Sequence, residues 1–156
     1  ESPVSTAMGA YFNKKAYTDP ALRRKYTRMG FWVNIRLIRY PDVLLMAAES
    51  ANEKGLMGEA SGYLEQVRAH ARGTLTNVLP KVESLDQSVL REAIRHERRV
   101  ELGLEPDRFY DLVRWGIAQE VLQAAGKNYQ PKNALLPLPQ TEIDKSNGVL
   151  IQNPDY

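Results

Sequence analysis

Two glutamates on the apolar stripe of a helix constrain this chain more than any other feature. In the stretch LREAIRHERRVELGL, residues 90–104, projection at about 100° per residue puts Leu90, Ile94, Glu97, Glu101 and Leu104 on one stripe, with Arg91, Arg95 and Arg99 on the other side. Like charges one helical turn apart repel by about 0.2–0.5 kcal/mol even on an exposed helix, and an unpaired buried charge costs several kcal/mol, about 3–5. The fold must therefore bring cations to this stripe. The next helical stretch, RFYDLVRWG, offers some. Phe109, Leu112, Val113 and Gly116 form its apolar face, and Arg108, Asp111 and Trp115 stand along a neighbouring stripe at i, i+3 and i+7. The expectation is that Arg108 reaches a glutamate with both prongs, that Trp115 shields the pair from water, and that Arg98 and Arg114 extend it into a network. Catalysis by Glu97 and Glu101 as paired carboxylates is the sharper alternative, but such a pair must flank a substrate cleft, whereas these share a face with leucine and isoleucine.

The remaining helices announce themselves by their ends. Pro41 opens PDVLLMAAESANEKG and Gly55 closes it; a second helix, EASGYLEQVRAHARG, ends at Gly73. Leu44, Ala47, Ala48 and Ala51 line the first, and Ala60, Leu64 and Val67 line the second, so small residues allow the two axes to approach closely. The spacing is that of one tetratricopeptide-type hairpin, a unit of about 34 residues. Ser84 and Gln87 have capping-box spacing at the start of the glutamate-bearing helix, which is expected to run to Gly103. Pro106 begins another helix that Gly116 kinks before it stops at Gly126. These patterns predict a mainly α chain in three segments: an irregular arm over 1–40, a helical core over 41–126, and an extended, proline-rich tail over 127–156 with one turn of helix near Thr141. Within the arm, a short helix starts at Asp19-Pro20, and FWVNIRLI alternates like a short strand near 31–38. Leu135, Leu136, Leu138, Val149, Leu150 and Ile151 of the tail are expected to pack over the helices.

Composition excludes several classes. At 156 residues the chain fits one domain able to bury roughly 70% of its unfolded surface. Lys and Arg exceed Asp and Glu by only two and interleave with them, against nucleic-acid binding. No apolar run approaches the ~18 residues of a membrane span. There is no cysteine, so no disulfide and no thiolate metal site, and His70 and His96 stand too far apart in sequence to suggest a ligand pair. Gly55, Gly58 and Gly62 follow no strand and precede no Lys-Ser/Thr, so they read as a helix stop and turn, not a phosphate loop. No cofactor and no metal are expected.

IRYPDVLLMAAES at 38–50, YLEQVRAHARG at 63–73, HERRVELGLEPDRFYDLVRWG at 96–116, and LLPLPQTEI with the terminal QNPDY follow one another in an order that resembles the later part of the RagB/SusD family. Arg39, Glu49, Arg68, Glu97, Arg98, Glu101, Arg108, Asp111, Arg114 and Trp115 fall on the motif positions. The resemblance implies a non-enzymatic, nutrient-binding lipoprotein of the cell outer membrane, held by an N-terminal lipid on a cysteine outside this sequence. Such a protein caps a SusC-like TonB-dependent transporter and captures glycans or other nutrients for it. It also implies that this chain is the C-terminal part of a longer protein, whose missing N-terminal half is a partner in its own right. Candidate ligand residues in the arm are Tyr11, Phe12, Tyr17 and Trp32, whose ring faces can stack on a pyranose. A tetratricopeptide-type scaffold that grips a peptide remains the competing reading.

Overall fold

The computed structural model describes residues 13–17 and 36–156. The described chain is mainly helical: α1 (Tyr40–Glu53), α2 (Met57–Arg72), α3 (Gln87–Glu101), α4 (Arg108–Arg114), α5 (Ala118–Ala124) and α6 (Gln140–Lys145), with single 3₁₀ turns at Lys14–Ala16 and Pro131–Ala134. No β-strand occurs among the described residues. The helix expected from Asp19 and most of the strand expected at 31–38 fall outside them; residues 36–39 have no regular structure. The chain divides into two compact units, Glu1–Leu104 and Glu105–Tyr156.

In the first unit α1 and α2 form the expected hairpin. Gly55, at φ +78°, takes the left-handed conformation that ends α1, and the Leu56 amide reaches back to the Ala51 carbonyl at 2.9 Å. Ala48, Ala51 and Ala60 are buried at the crossing, and Leu44, Leu45, Leu64, Val67, Leu90 and Ile94 complete the core, so α3 packs on both helices of the hairpin. Fully buried side chains such as Leu45 and Leu90 each contribute about 1.5–3 kcal/mol. The linker between α2 and α3 carries carbonyls that no helix or strand satisfies, and α2 supplies their donors. Arg68 Nη2 reaches the Pro80 carbonyl at 2.9 Å, and Arg72 Nη2 the Leu79 carbonyl at 2.8 Å.

Both ends of α3 differ from expectation. The capping box between Ser84 and Gln87 does not form. Asp86 caps instead, its carboxylate accepting from the Ser88 and Val89 amides at 2.9 and 3.0 Å, while the Ser84 hydroxyl accepts from the Asp86 amide. Gln87 is drawn away because Asn52, buried at the end of α1, offers a better partner. Asn52 Nδ2 donates to the Gln87 carbonyl at 3.0 Å, and Gln87 Nε2 to the Asn52 carbonyl at 2.7 Å. At the other end α3 stops at Glu101, so Leu102 and not Leu104 is buried. A Cβ on Gly103 would meet the Val100 carbonyl oxygen at 3.1 Å, and Leu104 turns away at φ +66°, 65% exposed.

The hydrogen bond from the Ser88 hydroxyl, followed by that from the Val89 amide, holds the Asp86 carboxyl below its ordinary value of 3.8. A folded-state value below the unfolded one means that the cap stabilises above the unfolded value and is lost as pH falls through the folded one. The Val89 amide resonance should titrate with a midpoint under 3.8, and Asp86→Asn should keep the cap but abolish that titration. A midpoint at or above the ordinary value would show that the carboxylate does not cap.

In the second unit the single kinked helix expected from Pro106 is two helices. Gly116 adopts φ +71°, and the Ile117 amide turns back to the Leu112 carbonyl at 3.1 Å, a full C-terminal stop. Leu112, Ala118 and Tyr129 form a small core edged by Phe109, Val113, Ile117, Val121 and Leu122. The tail contains the expected turn of helix, as α6, and is tied to itself by side-chain amides. Gln152 accepts from the Leu138 amide at 2.8 Å and donates to its carbonyl at 2.9 Å, in the manner of a neighbouring strand. Leu135, Leu136, Val149, Leu150 and Ile151 are exposed and Leu138 is half-buried.

Candidate functional site

The α3 stripe is a ladder of three ion pairs. Glu97, 3% exposed, accepts from Arg68 Nη1 of α2 at 2.6 Å. Arg98, also buried, donates to Asp42 in the first turn of α1 at 2.8 Å. Glu101 accepts from Arg39 Nη1, just before α1, at 2.9 Å, and Arg39 Nη2 also reaches the Glu101 carbonyl at 3.0 Å. Carboxylate, guanidinium and carboxylate thus alternate along α3 and meet the opposite charge on α2, in the first turn of α1 and at the residue before it. Arg68 and Arg39, both of the first unit, meet the two glutamates; the sequence pointed to Arg108.

Arg108 belongs to a second cluster on α4. Its guanidinium lies 5.9 Å from the Trp115 ring centroid, and that of Arg114 lies 5.0 Å from the same ring. Arg114 Nε and Nη2 both donate to the buried Asp111, at 3.1 and 3.0 Å. Trp115 thus contacts two arginine guanidinium groups, and the Arg114 side chain stays 45% exposed beside it. Phe109 completes the apolar side, meeting Tyr129 edge-on at 6.4 Å.

Glu97 is buried, and a guanidinium is paired with each of the two glutamates, so both carboxylates are engaged by cations. Among the described residues no group of acidic and histidine side chains could hold a metal ion, and no helix is long and apolar enough to cross a membrane. Of the candidate ligand aromatics, Tyr17 is 62% exposed, and Tyr11, Phe12 and Trp32 lie outside the described residues. Glu49 is half-buried on α1.

Sequence reasoning missed Asp42 as the partner of Arg98 and missed the exchange between Asn52 and Gln87. A signal for Asn52 existed. It stands seven residues after Leu45 and four after Ala48, on the buried stripe of α1, where a polar side chain requires a partner.

Comparisons with known proteins agree with the helical architecture. SusD-like protein P25 of Formosa agariphila is 39% identical over 124 residues, covering 75% of this chain and 23% of the relative. SusD-like protein P2 of the same organism is 36% identical over 127 residues, covering 76% of this chain and 25% of the relative. A solved SusD homolog from Bacteroides thetaiotaomicron superposes with a TM-score of 0.69 at 32% identity, over 77% of this chain and 26% of that one. The chain therefore spans about a quarter of the length of these relatives. The SusD family model matches residues 1–134, and with the ordered motifs and the shared fold this places the chain in the SusD family.

Proposed function

We propose that this chain is the C-terminal part of a nutrient-binding protein that captures glycans or oligosaccharides at the outer membrane and delivers them to a SusC-like TonB-dependent transporter. Its family is one of non-catalytic binding proteins, so the chain is not an enzyme. On this reading the arm 1–40, the helices of 41–126 and the tail 127–156 belong to one C-terminal domain, and a lipid on a cysteine of the preceding part anchors the whole to the cell surface. The family match over residues 1–134 carries the proposal. The ion ladder serves as scaffold, and Tyr11, Phe12, Tyr17 and Trp32 are the residues that can stack on sugar rings. The exposed Leu135, Leu136, Val149, Leu150 and Ile151 of the tail offer apolar surface for the N-terminal part of the protein to cover.

Affinity electrophoresis through a panel of polysaccharides, run beside size-exclusion chromatography, tests this. The chain by itself should be retarded weakly, show no hydrolysis and self-associate through its apolar surface. A monodisperse monomer that produces reducing ends from any glycan would overturn the proposal. The α1–α2 hairpin favours a peptide-gripping scaffold as the second reading, which a ligand search yielding only peptides would support.

A further inference from the structure

The carbonyls at the C-terminal end of α3 are satisfied from far away in sequence. The last carbonyls of a helix lack intrahelical donors and form the negative end of its dipole. Here Lys15 Nζ donates to the Glu101 carbonyl and, at 3.3 Å, to that of Gly103, while Asn13 Nδ2 donates to the Leu104 carbonyl at 3.1 Å. The left-handed turn at Leu104 and the tight approach at Gly103 present these oxygens together. The segment that supplies the donors is itself shaped for the task. Asn13 Oδ1 accepts from the Lys15 amide at 3.1 Å, the Tyr17 amide closes the turn on the Lys14 carbonyl at 3.2 Å, and Arg36 Nη2 holds the Lys15 carbonyl at 2.9 Å. Asn13, Lys15 and Arg36 thus fasten a short segment, ending in the exposed Tyr17, to the end of the helix that carries the ion ladder.

We infer that Asn13 and Lys15 are positioning residues: they buckle residues 13–17 onto the Glu101 carbonyl that ends α3 and the Gly103 and Leu104 carbonyls of the turn after it, and so hold Tyr17 where it can meet a ligand. The role of Tyr17 toward a ligand rests on the glycan-binding reading above; the buckle does not. The Lys15 ammonium answers the Glu101 oxygen, which it shares with Arg39 Nη2, together with the Gly103 oxygen and the negative end of the helix dipole.

The test is limited chymotrypsin digestion of the chain, following cleavage after Tyr17 by mass spectrometry in parent, Lys15→Met and Lys15→Arg. Lys15→Met should speed initial cleavage there about ten-fold, the factor that one charge-assisted hydrogen bond carries, with the helical circular dichroism unchanged. Lys15→Arg should return the rate to near that of the parent. Equal rates in parent and Lys15→Met overturn the proposal, as does an arginine variant that is cleaved as fast as the methionine one. Loss of helical signal in Lys15→Met overturns it too, since the contact would then hold the helices and not the arm. Polysaccharide retardation of the same variants separates the two readings: a buckle that responds as expected in a chain that no glycan retards strikes the ligand role of Tyr17 alone.

Discussion

Glu97→Ala is expected to destabilise the chain by about 3–5 kcal/mol, because it removes one partner of a buried ion pair and leaves the other in place. Arg68 keeps the Pro80 carbonyl through Nε and Nη2, which favours the lower part of that range. Urea unfolding should show the midpoint falling with the slope unchanged. Joint replacement, Glu97→Leu with Arg68→Met, should cost less than Glu97→Ala alone, since no charge is then left uncompensated. A loss below about 1 kcal/mol for the single variant would mean that water reaches the site after all.

Asn52→Asp should rival it, and its deficit should depend on pH. Asn52 is fully buried; its Nδ2 serves the Gln87 carbonyl, and its Oδ1 has no hydrogen-bond partner. An aspartate there sets one carboxylate oxygen against that carbonyl and leaves the other unpartnered in the core, at a cost of about 3–5 kcal/mol at pH 7. Burial raises the folded-state value of such a carboxyl, so the folded form holds its proton more tightly than the unfolded one. The deficit relative to the parent should therefore be smallest below about pH 4, where the protonated acid can donate to Gln87, and should grow as pH rises through the elevated folded value. Urea titrations at both ends of the range check the sign. A deficit that is the same at pH 4 and pH 7 would refute it.

What could be read from the sequence was local. Proline at the start of α1, glycine at the ends of α1 and α2, and apolar spacing within each helix are decided by residues a few positions apart, and those elements stand where expected. The need for cations beside Glu97 and Glu101 was equally plain, since it follows from burial and charge alone. Which cations came was not, because Arg39 and Arg68 reach α3 only after three helices have chosen their crossings. Arg108 looked suitable by chemistry and adjacency, and its guanidinium lies 5.9 Å from the Trp115 ring centroid. The ends of α3 failed for a related reason. A capping box at Ser84 and Gln87 was a sound local choice until Asn52 competed for the glutamine, and Leu104 continued the helical period only on paper, because the backbone turns at Gly103. The arm resisted reading most: Tyr17 shares no periodicity with the helix end to which its segment is tied.

The ion ladder bears on the order in which the native state is assembled. Its partners lie 62, 29 and 56 positions apart, whereas α1 and α2 meet across a turn of a few residues. Closing so long a loop costs entropy before its contacts repay it, so the hairpin is expected to form early and the ladder late, which φ-values near zero at Glu97 and Glu101 would show. Interactions absent from the transition state leave the folding rate nearly untouched and act on the way out. On that expectation the ladder is a latch: weakening it should speed unfolding and leave the time needed to fold nearly unchanged.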